Sequence, residues 1–259
     1  MSTYQGITMS RLLRNRSFQA GLALLLGVAI AGAPLMAMAQ QYNPPRRGIP
    51  GRREGAGTRS PNGRCIQGQK PFTVLAPSDN VGSSTSKTPK LFWYVPSTVA
   101  KTAEFRLLSS TDQEIYTTTV ALNGVPGVVS LQIPAQVAAR MEPGKDYRWQ
   151  FSLNCIPGEP SKNPFLEGIV QRVEANSALT DALTLATTAR DRASVYASAG
   201  IWQDAITTLA EQRCAEPNDR TLRTSWNTLL KSVELEKFAQ EPLTPSCPAS
   251  PDPSPSPVN

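Results

Sequence analysis

"MEPGKDYRWQFSLNC", residues 141–155, decides the fold class. In its second half Tyr147, Trp149, Phe151 and Leu153 alternate with Arg148, Gln150 and Ser152. A period of two is what a strand with one buried and one wet face requires, so this stretch reads as half-buried β and not as helix. Its first half is a turn, with Pro143 and Gly144 leading into the strand.

The same signature extends to both sides. "KLFWYVPS" (90–97) is aromatic and β-branched and stops at Pro96; "EFRLLSS" (104–110) and "EIYTTTV" (114–120) flank the polar turn "STDQ" like a hairpin. "GVVSLQIP" (127–134) follows "NGVPG", and "FLEGIVQRVE" (165–174) reads as a last strand. Six short strands without intervening helices predict an antiparallel β-sandwich over 65–173. The phrase "MEPGKDY" (141–147) resembles the corner of immunoglobulin and fibronectin-III-like domains, whose tyrosine hydroxyl bonds back across the turn.

From about residue 174 to 240 the period becomes helical. Leu179, Leu183, Ala186, Ala193 and Tyr196 mark one helix ending at Gly200; Ile201, Trp202, Ala205, Ile206 and Leu209 mark a second. Asn218 or Asp219 caps a third, striped by Leu222, Trp226, Leu229, Leu230 and Val233. Tyr196, Gly200, Trp202, Ala205, Ile206, Leu209 and Pro217 fall at tetratricopeptide-repeat offsets, but no second copy follows. Such residues serve helix packing, and a peptide groove of the usual kind needs several stacked repeats. The fold class is therefore α+β, a sandwich followed by a small three-helix tetratricopeptide-like unit. Helices one and two are expected to dock on the sandwich, leaving Trp226 and Leu230 partly exposed as a protein-partner surface.

The compartment is read from the first residues. Arg11, Arg14 and Arg16 precede the apolar run 21–32 and "AMA" at 37–39, the pattern of a secretory signal peptide over 1–39. The run is too short to span a bilayer, and no later segment is apolar enough, so no integral membrane segment is expected after cleavage. Cys65, Cys155, Cys214 and Cys247 are an even number of cysteines, as an exported, disulfide-bonded chain requires. They bracket the two modules, which predicts the pairs Cys65–Cys155 and Cys214–Cys247 among the three possible.

The formal charge is +6, and removal of 1–39 leaves 23 Lys and Arg against 20 Asp and Glu. The excess sits in the Pro/Gly/Arg-rich stretch 40–64, where Arg46, Arg47, Arg52, Arg53, Arg59 and Arg64 meet only Glu54. This stretch and the Pro/Ser-rich tail 241–259 carry too little apolar surface to order themselves and are expected to be disordered. The six arginines form a candidate polyanion site, with anionic polysaccharide as its ligand; a nucleic-acid partner is not indicated.

Catalytic signatures are absent from the sequence. There is no histidine, hence no His-dependent triad and none of the usual zinc sites, and no Cys-x-x-Cys, Gly-rich phosphate loop or Gly-x-Ser-x-Gly elbow. No catalytic residue, metal or cofactor is expected. Tyr116, Tyr147, Trp93 and Trp149 could line a carbohydrate platform, although aromatics at strand spacing usually form core.

Taken in order, "PGRREGAGTR", "LFWYVP", "EPGKDYRWQFSLNC", "EGIVQRV", "YASAGIWQDAITTLA" and "SWNTLLKSVEL" resemble a cyanobacterial family described as domain of unknown function 928, over about 50–240. The resemblance implies export to a Gram-negative periplasm or the cell surface, and brings no activity or cofactor. The expected function is a non-catalytic interaction or envelope-structural protein that binds a protein partner. The alternatives are a polysaccharide- or cell-wall-binding module and a carboxylate-dependent envelope hydrolase.

Overall fold

The computed structural model describes residues 41–44, 53–54, 65–156, 158–243 and 247. The expected signal peptide, most of the 40–64 stretch and most of the 241–259 tail lie outside them. The strands are β1 (Ile66–Gln67), β2 (Thr73–Val74), β3 (Val81–Ser84), β4 (Lys90–Val95), β5 (Ser97–Thr98), β6 (Thr102–Leu108), β7 (Glu114–Ala121), β8 (Gly127–Gln132), β9 (Asp146–Leu153) and β10 (Phe165–Arg172). A single helical turn, α1 (Ala135–Ala138), precedes β9. After the strands come α2 (Ser177–Leu185), α3 (Ala189–Ser198), α4 (Trp202–Ala215) and α5 (Arg220–Lys231). The architecture is α+β.

Two main sheets face each other, one ordered β3-β10-β9-β6-β7 and the other β2-β4-β8. Alternation on β9 turns Tyr147, Trp149, Phe151 and Leu153 inward. Across the core, Trp93 of β4 stacks on Phe151 at 4.2 Å between ring centroids and meets Trp149 edge-on at 5.6 Å. Offset and edge contacts of this kind add stabilisation beyond the apolar area buried. Tyr147 closes the corner below: its hydroxyl accepts from the Glu142 N–H at 2.8 Å and donates to the Arg140 carbonyl. Cys65 and Cys155 form a disulfide with a Cα separation of 5.7 Å, joining the start of β1 to the end of β9.

The expected sandwich was wholly antiparallel, and here the structure differs. β3 runs parallel to β10, with Val81 opposite Ile169 and Ser84 opposite Arg172. A parallel pair requires a long connection. The strands β4 to β9 supply it, so the pairing is invisible to any local pattern.

β4 is buried on both faces. Leu91, Trp93 and Val95 point into the sandwich, whereas Phe92 and Tyr94 point out and join a second core with Trp202, Ile206, Leu209, Trp226, Leu230 and Phe238. Burying each such side chain contributes about 1.5–3 kcal/mol. The helices therefore cover the outer face of the β2-β4-β8 sheet.

The first of the three expected helices is in fact two. Ala186 leaves the helical region, and Thr188 caps α3 by accepting from the Asp191 N–H. Its hydroxyl also donates to the Asp191 carboxylate, a reciprocal cap that starts a new helix more favourably than β-branched Thr187 and Thr188 would continue the old one. Gly200, at φ 75°, makes the tight turn from α3 to α4, and Asp219 caps α5.

Parts of the two tails are ordered, contrary to expectation. Tyr42 is buried edge-to-face on Trp202, and the Asn43 N–H donates to the Ala197 carbonyl. The Val74 N–H donates to the Arg53 carbonyl, while Leu243 is buried and Cys247 is bonded to Cys214. A few apolar or bonded residues inside polar stretches suffice to hold these short pieces.

Candidate functional site

α4 enters the fold against β3, and its first turn fixes how helices and sheet meet. Trp202 donates its indole N–H to the Leu75 carbonyl at 2.8 Å. The neighbouring Asp204 carboxylate accepts from the Thr85 N–H at 2.8 Å, from the Thr85 hydroxyl at 2.5 Å and from the Ser84 hydroxyl. Burial pushes the Asp204 carboxyl above its usual range, and the bonds from Ser84 and Thr85 oppose that rise. Gln203 lies over Gly82, where a Cβ would stand 2.1 Å from the Gln203 Nε2.

Beside this junction α2 stands away from the rest. Its cap, Asn176, accepts from the Leu179 N–H at 2.8 Å, and Leu179 is its one buried side chain. Between α2, the α3–α4 turn and the margin where β3 pairs with β10 runs a groove of about 600 Å³. It is lined by Ala178, Leu179 and Ala182 of α2, by Val195, Ser198, Ala199 and Ile201 of α3 and the turn after it, and by the buried Ser83, Gln171 and Ser194. Glu174 and Asn176 stand among the lining residues near the start of α2.

Small side chains allow a backbone to approach closely, and the serines offer it hydrogen bonds. The lining contains one carboxylate, Glu174, so the groove provides no pair for acid–base work. Among the described residues no cluster of three or more potential metal ligands occurs. None of these groove residues was singled out in the sequence as a site. Their only signal is the unspent apolar surface of α2, where Leu185 remains 81% exposed.

The residues the sequence did single out lie elsewhere. Trp226 and Leu230, expected to be a partner surface, are both fully buried. α5 turns its apolar face onto α4 and the second core, and the Arg213 guanidinium covers the Trp226 ring at 5.0 Å. Neither side chain is left exposed to a partner. Arg53 is withdrawn from the candidate polyanion site: its guanidinium donates to the Val233 carbonyl and lies 3.6 Å from the Glu234 carboxylate. Arg46, Arg47, Arg52, Arg59 and Arg64 lie outside the described residues. Of the candidate carbohydrate platform, Trp93, Trp149 and Tyr147 are buried core residues, and Tyr116 is partly buried against the same core. All four cysteines are bonded in the two expected pairs.

Comparison with known proteins gives a family match over residues 54–243, well over half of the chain, to one described as Domain of Unknown Function (DUF928). A search of curated proteins finds no match. Among solved structures, the chain is similar to the CARDB domain of the PF1109 protein from Pyrococcus furiosus, crystallised in complex with di-metal ions. The identity is 14%, the match covers 36% of this chain and 80% of that one, and the TM-score is 0.23.

Proposed function

The chain belongs to the family of domain of unknown function 928, and we propose that it is an exported, non-catalytic interaction protein. In this reading it takes an extended, small-residue segment of a protein partner into the groove beside α2. The observation that carries the proposal is the lining itself. Ala, Val, Leu and Ile side chains of two helical segments line it together with Ser83, Ser194 and Ser198, at the point where one helix is only lightly anchored.

Other observations support parts of this reading. Two disulfides suit an oxidising compartment. Among the described residues no helix is long and apolar enough to cross a membrane. The Tyr147 corner supports an immunoglobulin or fibronectin-III-like sandwich, and the Gly200 turn between Tyr196 and Trp202 supports a tetratricopeptide-like origin for α3 and α4.

The test is site-specific photocross-linking in the native envelope. A photoreactive side chain at Ala182 or Ser198 is expected to give one discrete adduct that the same group at exposed Thr224, on α5, does not give. Identical adduct patterns at all three positions, or no adduct from the groove, would refute the assignment.

A further inference from the structure

The two main sheets have four outer edges, and within the described residues the chain covers three of them itself. β2 is bridged by Glu54 at Thr73, and the Val74 N–H donates to the Arg53 carbonyl. On β8 the Val128 N–H donates to the Pro242 carbonyl at 2.8 Å. α4 lies on β3, with Asp204 accepting from the Thr85 N–H. Covering exposed strand edges is how proteins avoid unwanted pairing.

β7 is the fourth edge, and among the described residues its only strand neighbour is β6. It is eight residues long, contains no Pro or Lys, and runs Ile-Tyr-Thr-Thr-Thr-Val through its middle, a composition that favours pairing. Only its first end is modified. A register shift at Leu107/Leu108 bulges the strand near Ile115, whose carbonyl accepts from the Arg140 guanidinium. From Tyr116 to Ala121 the ladder is regular.

The direction of the free groups follows from that ladder. The Leu122 N–H donates to the Lys101 carbonyl, one step beyond the Thr102–Ala121 pair. Antiparallel ladders alternate, so Val120, Thr118 and Tyr116 turn their backbone groups toward β6, while Ala121, Thr119 and Thr117 turn theirs away. A second β7, laid antiparallel about a two-fold axis through Thr118, then places Thr117 opposite Thr119 of the other copy and Tyr116 opposite Val120. In that register the outward-pointing groups meet one another, side chains of one face meet the same face, and no charge opposes a like charge. Glu114, the strand's one charged residue, falls opposite Leu122.

We propose that β7 is a self-association edge through which two copies of this chain join their five-stranded sheets into one continuous sheet. The central Thr117–Thr119 pairs alone supply about four backbone hydrogen bonds, two for each closely spaced pair. The axis passes through the Thr118 pair, a non-hydrogen-bonded position where Cα atoms lie about 4.5 Å apart, within the span of a disulfide.

The test uses the whole chain, made in an oxidising compartment, and sedimentation equilibrium over a range of concentrations. A reversible dimer is expected. Thr117→Lys/Thr119→Lys sets lysines against each other twice across the axis and is expected to weaken the dimer about tenfold, with the unfolding midpoint of the monomer unchanged. Thr117→Lys/Thr119→Glu sets opposite charges there and is expected to restore association. Thr118→Cys should give a covalent dimer under oxidation, abolished in the double-lysine background. A chain that stays monomeric overturns the proposal, as does a dimer indifferent to the lysines or a Thr118→Cys chain that forms no cross-link.

Discussion

The Trp202 indole N–H donates to the Leu75 carbonyl at 2.8 Å, across 127 residues of sequence. Both groups are buried, so the bond has no water to replace it, and it fixes the angle at which α4 meets the sandwich. Trp202→Phe keeps a ring in place but leaves that carbonyl unpaired. The expected loss is about 1–3 kcal/mol, the cost of an unsatisfied buried acceptor, read from the shift in the urea midpoint.

Asp204 makes stability depend on pH. Burial raises its carboxyl above the ordinary value of 3.8, so in the folded state it binds its proton more readily than in the unfolded chain. Its contribution is then fully present below 3.8 and is lost as pH rises through the folded value. Asp204→Asn removes the titration. The stability of the native chain relative to that variant should increase as pH falls from 7 toward 4, and a flat difference would contradict the burial argument.

Gly82 and Gln203 should be energetically coupled. A methyl group at Gly82 meets the buried Gln203 amide, so Gly82→Ala is expected to cost about 1–3 kcal/mol through overpacking. In the Gln203→Ala background the same change should cost much less. Denaturation of the four chains gives the coupling energy, and strict additivity would show that the α4–β3 contact does not hold in solution.

The disulfides differ in reach. Cys65–Cys155 closes a separation of 90 residues and Cys214–Cys247 one of 33. By chain entropy their removal as Ala pairs should cost about 4–5 and about 3–4 kcal/mol respectively. The larger loss is expected for the sandwich pair, measured by guanidinium unfolding.

β6, β7 and β9 were legible because each has a wetter face that interrupts its apolar residues. β3, "VGSS", carries no such signal: it is buried throughout and built of small residues, with the sheet on one side and α4 on the other. The break between α2 and α3 hangs on one capping threonine in a run that otherwise keeps helical period. The fate of Trp226 and Leu230 was written elsewhere. "LFWYV" in β4 is apolar without alternation, the mark of a strand covered on both faces, and its outward Phe92 and Tyr94 form the surface that closes over α5's stripe. The groove was not legible, since it arises where α2 fails to pack, and a missing contact has no residue pattern.

Tyr42 rests on Trp202, and its backbone N–H donates to the Ser232 hydroxyl, 190 positions later. A chain is made from its first residue onward, so this tyrosine lacks the partners that bury it until Trp202 and Ser232 have been made. The same holds for Phe92 and Tyr94, which wait for α4 and α5, and for β8, which waits for Pro242. The sandwich can assemble early, but with one apolar sheet face bare. Until α4 and α5 are in place that face stays open to other copies of the chain, so the helices shield the sandwich from its own kind as well as completing the second core.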